Sequence, residues 1–359
     1  MMKKSMPTLL KVTLAAALLA AASPALLLPQ ATVHAETESD WFEIKLAPLK
    51  IQIGDQLLDV PGGKSAEGDT YVGLAFLSKQ LGLTTAWDEA TKTVTVSSPN
   101  KKMSMHNQDT KYSLDGREFY KTLPPVIVDG TTYLPLRLLL EQMGYQIGYN
   151  DESHVVTITK IQENELTLTN KSESKKITDN QEITINYPQI EGWANSAASA
   201  KINAFIQSEI EKYKDAANKG LSKNGNEYPY SFDVNYQITY NQKHKLSLYF
   251  EVYSFTGGAH GSTTRDSHTF DLDTGNELSL QQLTSNNANY KTIINETIKK
   301  QIKEQDYALI EPFESIRDDQ GFYLKDDTVV VYFGQYEYAP YVLGILEFPI
   351  PLSAFAAAK

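Results

Sequence analysis

Apolar residues between positions 48 and 160 follow two periodicities. Leu74, Leu77 and Leu81 lie three or four residues apart, which places them on one face of an amphipathic helix. Short β-branched runs such as residues 93–96 follow and are typical of strands. This part of the chain is therefore predicted to consist of short strands with brief helices between them.

The same pattern occurs twice, because residues 68–96 match residues 130–158 at an offset of 62 without a gap. The identical positions are Gly68, Thr70, Tyr71, Leu74, Leu77, Gln80, Gly82, Val94 and Thr95, which recur as Gly130, Thr132, Tyr133, Leu136, Leu139, Gln142, Gly144, Val156 and Thr157. The sequence thus predicts a duplicated domain at 48–160, with repeats at about 51–98 and 111–160 that pack against each other. Gly82 and Gly144 stand where a left-handed residue would end each helix.

From residue 183 the elements become longer. Strands are predicted at 183–187, 230–240, 245–255, 263–272, 322–324, 328–333 and 343–350, and helices at 194–219 and 290–303. Gly220 is predicted to end the first of these helices, and residues 241–244 to form a hairpin turn. Residues 161–182 are polar and predict a linker with one short strand at 166–168. The fold class predicted for residues 183–359, as for the whole chain, is α+β with a mostly antiparallel sheet.

The amino terminus has the organisation of a secretory signal. Three lysines accompany an apolar stretch at 12–28, and small or aliphatic residues in the segment 32–35 precede a cut after Ala35. An uncleaved membrane anchor is the alternative, but this stretch is short for a span and contains Pro24. We therefore expect residues 1–35 to be removed, leaving 36–47 as an N-terminal segment. The mature chain is expected to be secreted or associated with the cell wall, without a transmembrane segment.

Charge and composition exclude several classes of function. The 359 residues carry a net charge of −11, and loss of the three lysines within residues 1–35 would make it −14. Such acidity argues against non-specific nucleic-acid binding, which needs a basic surface. The chain has no cysteine, which excludes disulfides, cysteine nucleophiles, thiolate zinc sites and iron–sulfur clusters. The sequence leaves the oligomeric state open.

The duplicated half resembles the copper amine oxidase N-terminal-like domain. The phrases Gly-Thr-Thr-Tyr-Leu-Pro-Leu-Arg at 130–137 and Gly-Tyr-Gln-Ile-Gly-Tyr-Asn at 144–150 carry this resemblance. It implies an accessory module rather than an oxidase. The Asn186-Tyr187 pair lacks the flanking residues needed to form the oxidase quinone, and the chain has no His-x-His pair for copper. No cofactor is expected.

The second half resembles the extracellular domain of the RsiV-type anti-sigma factors, which sense lysozyme, and a unit that precedes the catalytic domain of some peptidoglycan deacetylases. The motifs that carry this resemblance lie at 253–261, 270–275 and 333–341. It implies a binding scaffold for a lysozyme-like protein. A sigma-binding segment, a membrane span and a deacetylase domain are not expected in residues 36–359, so signalling and catalysis are not implied.

Two segments supply candidate partner-binding residues. They are Gly257, Gly258 and His260 in a glycine-rich loop, and Tyr336, Glu337, Tyr338, Pro340 and Tyr341 in a tyrosine-rich one. Tyrosine combines a rigid apolar body with a polar tip and suits contact surfaces, although these rings could equally fill the core. His260 could instead make a structural hydrogen bond, or bind metal with His268 and Asp266.

The other sequence patterns predict no catalytic or metal-binding site. Asp271-x-Asp273-x-Gly275 resembles the start of a calcium loop, but its twelfth position would be Gln282, so a hairpin turn is predicted. No nucleophile motif or phosphate loop occurs, and no catalytic or metal-binding residue is predicted. Three functions remain: a secreted, non-enzymatic protein that binds a lysozyme-like protein and could inhibit it, a peptidoglycan or carbohydrate-binding accessory module, and an unrecognised hydrolase.

Overall fold

A computed structural model of the chain describes residues 42–225 and 228–356. The predicted signal peptide lies outside these residues. The strands of the N-terminal half are β1 (Lys45–Ile53), β2 (Gln56–Lys64), β3 (Thr70–Gly73), β4 (Thr84–Asp88), β5 (Thr93–Ser98), β6 (Lys101–His106), β7 (Lys111–Leu114), β8 (Arg117–Tyr120), β9 (Val126–Val128), β10 (Thr131–Pro135), β11 (Tyr145–Asn150) and β12 (Val155–Lys160). Helix α1 (Leu74–Leu81) follows β3, and helix α2 (Leu136–Gln142) follows β10.

The C-terminal half has longer strands and longer helices. Its elements are β13 (Thr167–Thr178), β14 (Gln181–Gly192), α3 (Ser196–Asn224), β15 (Tyr230–Gln242), β16 (Lys245–Phe255), β17 (Ser262–Asp271), α4 (Leu280–Leu283), α5 (Tyr290–Glu304), β18 (Phe322–Lys325), β19 (Thr328–Phe333) and β20 (Leu346–Pro351), with 3₁₀ turns at Tyr341–Leu343 and Leu352–Phe355. Most strand pairs in both halves are antiparallel, with parallel pairs at β1–β12 and β14–β15. The α+β class predicted from the sequence is therefore confirmed.

The two repeats share one sheet and one core. Strands β3 and β10 pair antiparallel with Val72 opposite Leu134, which are equivalent positions at the offset of 62. The seven-stranded sheet has the order β11-β12-β1-β2-β3-β10-β9, and β4 to β8 form a second sheet. The equivalent leucines Leu77 and Leu139 are both fully buried in the core that these sheets enclose. Gly82 and Gly144 have φ of 66° and 86°, the left-handed geometry expected after each helix.

The C-terminal half consists of four layers. Helix α3 packs its isoleucines on one face of a five-stranded sheet of order β13-β14-β15-β16-β17. The other face of that sheet carries the three-stranded sheet β18-β19-β20. Strand β19 is buried on both sides: Val330 and Tyr332 face the larger sheet, whereas Val329 and Val331 pack with α5. Such two-sided burial explains the continuous run of apolar residues at 329–333.

The three-stranded sheet is held against the larger one by Arg265 of β17, whose side chain is only 7% exposed. The guanidinium lies 4.1 Å from the ring centroid of Tyr249 and 5.3 Å from that of Tyr332. It forms ion pairs with Glu251 of the larger sheet, at 2.6 Å, and with Glu347 of β20. One charged group therefore bridges both sheets.

Several elements differ from the sequence-based expectation, among them β14, which extends to Gly192 and so beyond the predicted end at 187. Gly220 does not end helix α3, which continues to Asn224 before Gly225 at φ 69°. A Cβ at Gly220 would lie 2.5 Å from the hydroxyl oxygen of Tyr230, so this glycine is required by close packing and not by a helix end. Within the predicted linker, β13 is a strand of 12 residues, far longer than the one expected at 166–168. It lies at the edge of the sheet, where one exposed side permits a polar sequence.

The two halves are joined by side-chain contacts as well as by the chain. Arg117 of β8 is 4% exposed, and its guanidinium lies 4.8 Å from the ring centroid of Tyr236 in β15. Lys325 pairs with Glu141 of α2 at 2.9 Å. These contacts fix the duplicated domain against the C-terminal sheets.

Replacing Arg265 by Met is expected to lower the free energy of unfolding by about 2 kcal/mol, because the partly exposed carboxylates of Glu251 and Glu347 lose the cation they share and the ring of Tyr249 loses a buried cation–π contact. Arg265→Lys should recover only part of this loss, since an ammonium cannot stack as a plane on Tyr249. Urea unfolding followed by circular dichroism measures both values.

The matched control is Arg317→Met. Arg317 also pairs with two carboxylates, those of Asp319 and Glu337, but its side chain is 51% exposed. Its loss should change the free energy of unfolding by less than about 1 kcal/mol. Equal effects of the two substitutions would contradict the role assigned to Arg265.

Candidate functional site

The two segments that supply the candidate residues lie side by side in the structure. One is the loop between β16 and β17, and the other connects β19 to β20. The backbone amide of Thr263 donates a hydrogen bond of 2.8 Å to Oε1 of Gln335, which ties the loops together. The fold thus brings His260 next to Tyr336 and Tyr341, which lie more than 70 positions away in the sequence.

Three of the predicted residues form an aromatic stack. The rings of His260 and Tyr341 lie 4.1 Å apart at 28°, and Tyr336 lies 5.7 Å from Tyr341. Nδ1 of His260 lies 2.8 Å from the carbonyl oxygen of Gly261 and must donate the hydrogen there, because a carbonyl only accepts. Nε2 is then an acceptor in the neutral ring, and it faces the hydroxyl of Tyr336 at 3.5 Å.

Tyr336 has an unusual backbone conformation for a large residue. Its φ is +64°, in the left-handed region that tyrosine rarely occupies, and its side chain is 53% exposed. Burial of the ring therefore does not offset the strain. Strained residues of this kind concentrate at functional sites, where the surrounding structure holds them in place.

Exposed apolar side chains surround this stack. Within residues 42–225 and 228–356, they include Tyr253 at 36%, Val342 at 86% and Leu343 at 38% exposed. Tyr228, which is 57% exposed, lies against Gly257. We call the surface formed by Tyr253, His260, Tyr336, Tyr341, Val342 and Leu343 the aromatic patch. Tyr253, Val342 and Leu343 were not predicted as site residues, although Tyr253 opens one of the motifs that carry the family resemblance.

The loop glycines have different roles. Gly257 has φ +82°, which favours glycine at that position. Gly258 has no such constraint, since the nearest atom to an added Cβ would be 4.0 Å away. Gly261 was not among the predicted site residues, yet a Cβ there would lie 2.3 Å from the ring of Tyr253. This close approach of backbone to ring sets the position of Tyr253 in the aromatic patch.

Three predicted residues shape the loop around the stack. Tyr338 is half-buried, with its ring 4.7 Å from Phe333 in an edge-to-face contact, so it belongs to the core more than to the surface. Glu337 accepts a hydrogen bond of 2.8 Å from the amide of Gly334 and pairs with Arg317. Pro340 is exposed and precedes the 3₁₀ turn that carries Tyr341. That turn replaces the start of the strand predicted at 343–350.

An acidic segment runs beside the aromatic patch. Residues 306–319 contain five acidic residues and one arginine. The segment is tied to the tyrosine-rich loop through Ile310, whose amide donates to the carbonyl of Tyr338 at 2.9 Å. The segment therefore brings acidic side chains close to the tyrosine-rich loop, and two of them, Asp318 and Asp319, form ion pairs with Lys291 and Arg317.

The alternative metal and calcium hypotheses have no geometric support in the described residues. Nδ1 of His268 lies 2.7 Å from Glu277, and Asp266 accepts a hydrogen bond from the hydroxyl of Tyr213. Oδ1 of Asp271 accepts from the amides of Asp273 and Thr274, which is the predicted hairpin turn. Across residues 42–225 and 228–356, no three histidine or acidic side chains are grouped so as to hold a metal ion.

Three family models match parts of this chain. The model described as "Copper amine oxidase N-terminal domain" matches residues 56–158 and 113–190. The model "Deacetylase PdaC" matches 174–263, and "Protein of unknown function (DUF3298)" matches 281–353. The resemblance predicted for each half is confirmed. The aromatic patch is formed where the last two regions meet, with His260 in one and Tyr336 in the other.

Two curated relatives from Bacillus subtilis (strain 168) match the chain. The anti-sigma-V factor RsiV is 27% identical over 194 residues, which is 50% of this chain and 66% of RsiV. Peptidoglycan-N-acetylmuramic acid deacetylase PdaC is 23% identical over 171 residues, covering 45% of this chain and 35% of PdaC. The matched regions thus span less than two thirds of either relative.

Solved structures of two DUF3298 family proteins also align with the chain. The one from Bacteroides fragilis NCTC 9343 is 16% identical with a TM-score of 0.40, and covers 54% of this chain and 93% of that protein. The one from Pseudomonas aeruginosa PAO1 is 14% identical with a TM-score of 0.37, with the same coverage. In the part of the chain that the structure describes, no helix is both long and apolar enough to cross a membrane.

Gly261→Ala is expected to lower the free energy of unfolding by about 1–3 kcal/mol, because the added methyl group overlaps the ring of Tyr253. Gly258→Ala is the matched control in the same loop and should change it by less than about 0.5 kcal/mol. Thermal or urea unfolding of both variants makes the comparison. Loss of stability in Gly258→Ala alone would show that the loop is packed differently.

Asp233 of β15, which lies opposite Tyr253 of β16, gives the fold a pH dependence. Burial, with the nearby charge of Glu182, raises the pKa of Asp233 to about 6. A carboxyl with a raised pKa favours the folded state only while protonated, so its contribution to stability is lost as pH rises from about 4 to 6. Asp233→Asn should therefore stabilise the protein at pH 7, by about 1 kcal/mol once screening by solvent is allowed for, and change little at pH 4. Urea unfolding at the two pH values tests this.

Proposed function

We propose that this chain is an extracellular, non-enzymatic binding protein whose aromatic patch docks a basic protein of the lysozyme type. The observation that carries the proposal is the convergence of exposed apolar side chains from the end of β16 and from the tyrosine-rich loop, with a strained tyrosine among them. Contiguous exposed apolar surface of this kind marks interaction sites.

The composition of the patch suits a protein partner. Three of its six residues are tyrosines, and tyrosine is enriched among the residues that dominate binding energy in protein interfaces. The stack of His260 on Tyr341 and the backbone of Tyr336 hold the rings in fixed positions. Because the rings are ordered before binding, little conformational entropy is lost on association.

Charge complementarity favours a basic partner. The chain has a net charge of −11, and the acidic segment 306–319 borders the patch. Lysozymes of the kind implied by the family resemblance are strongly basic. Opposite charge would raise the association rate at low ionic strength, while the apolar contacts would hold the complex once it has formed.

The similarity to RsiV supports the proposal, since it covers half of this chain. The similarity to a deacetylase is weaker and covers a third of that relative. At the aromatic patch, one ring nitrogen of His260 donates to a main-chain carbonyl and the other faces a tyrosine hydroxyl, so both nitrogens make contacts that shape the patch. Binding rather than hydrolysis is therefore the function that the patch supports best.

Calorimetric titration of the purified full chain with hen egg-white lysozyme tests this function. We expect saturable binding with Kd of about 1 μM or tighter at both about 50 and 300 mM salt. The double variant Tyr336→Ala/Tyr341→Ala should weaken binding by at least about a hundredfold, because two central aromatic contacts are lost.

The control is Tyr120→Ala, which removes a tyrosine that is 66% exposed on β8 of the other half. This variant should bind lysozyme as the unaltered chain does. Binding seen only at low salt and unaffected by the double substitution would reduce the interaction to charge attraction and contradict docking at the patch. Absence of binding at both salts would eliminate lysozyme as the partner.

A further inference from the structure

A concave surface lies at the end of the five-stranded sheet opposite to the aromatic patch. It is a cleft of about 750 Å³, within the size range of small-molecule sites. The segment that joins the two halves, the residues before α3, the β15–β16 hairpin and the turn after β17 line it. Strand β16 has 11 residues and runs from this end to the loop of the aromatic patch, so the two sites are separated by roughly 35 Å.

One wall of the cleft is the indole ring of Trp193. Its Nε1 donates a hydrogen bond of 2.8 Å to the carbonyl oxygen of Leu272. The ring of His244 meets it edge-on, at 5.6 Å and 87°, and Nδ1 of His244 lies 2.8 Å from Oδ1 of Asp273. The half-buried indole is thus held from two sides and forms a fixed aromatic platform in the cleft.

The hairpin wall is held just as firmly. The side-chain amide of Asn164 donates to Oδ1 of Asn241 at 2.9 Å and to the carbonyl of Lys245 at 3.0 Å, while its oxygen accepts from the amide of His244. These bonds fasten the connecting segment to the hairpin. The cleft is therefore shaped before any ligand binds.

Several side chains that line the cleft beside the indole end in planar polar groups. Gln162, Glu165 and Gln242 border the cleft and offer amide and carboxylate groups. Such groups form paired hydrogen bonds with neighbouring hydroxyls, and a flat aromatic face attracts the weakly positive C–H groups of a pyranose ring. Glu163, Glu165 and Asp273 outnumber the cationic groups of the lining, which disfavours an anionic ligand.

We propose that the cleft at Trp193 binds a short neutral saccharide, with one sugar ring stacked on the indole and its hydroxyls bonded by Gln162, Glu165 and Gln242. This site uses none of the residues of the aromatic patch. Saccharide binding and lysozyme binding can therefore succeed or fail separately.

The composition of the chain permits a direct test, because it contains three tryptophans, at positions 41, 87 and 193. In the variant Trp41→Phe/Trp87→Phe, the fluorescence reports on Trp193 alone. We expect a saturable change in intensity or wavelength on titration with tri-N-acetylchitotriose or cellotriose up to about 10 mM, since affinities near 1 mM are detectable in that range. Comparing the two sugars distinguishes amide-bearing from plain hexose ligands.

Two further variants make the result specific. The reporter Trp41→Phe/Trp193→Phe keeps only Trp87, which lies in a shallower depression on the first repeat, and should show no saturable change. Gln242→Ala in the Trp193 reporter should weaken binding by at least about tenfold while circular dichroism confirms folding. Absence of a response at Trp193, an equal response at Trp87, or no effect of Gln242→Ala would each overturn the proposal.

Discussion

The position of the aromatic patch depends on the buried guanidinium of Arg265. This group lies between two sheets, stacked on Tyr249 and paired with carboxylates from both layers. A planar cation can stack on a ring and make ion pairs in its own plane at the same time, which a lysine could not do. This interaction holds the three-stranded sheet in place on the larger one. The loop that carries Tyr336 connects two strands of the three-stranded sheet, so the position of that sheet determines the position of the loop.

Hydrogen bonds near Arg265 fix the alignment of the same two sheets. The hydroxyl of Tyr332 donates to the carbonyl of Arg265, and Ser247, which is fully buried, accepts from the amide of Leu324 while it bonds Thr269. Polar groups at such depth are stable only when they are paired, so these contacts define one alignment of the two sheets. The loops on either side of the interface then meet in a single arrangement.

This layered construction separates two surfaces along one rigid sheet. The aromatic patch lies at the end where β16 leads into β17, and the Trp193 cleft lies at the end where β15 turns into β16. The duplicated domain is packed against the same sheet through Arg117 and the connecting segment. A protein partner and a saccharide could therefore be held in a fixed spatial relation by one molecule.

The local elements and the class of fold can be predicted from the amino-acid sequence alone. Alternating apolar residues identified β15 and β16, the glycines after α1 and α2 marked their ends, and the offset of 62 revealed the duplication, because each signal depends on residues close together in the chain. Other features depend on the folded chain: Gly220 lies inside a helix, β13 forms a sheet edge, Tyr338 faces the core, and His260 stacks on Tyr341. The cleft at Trp193 likewise has no local signal. These features arise from contacts between segments far apart in sequence, which periodicity and turn chemistry do not encode.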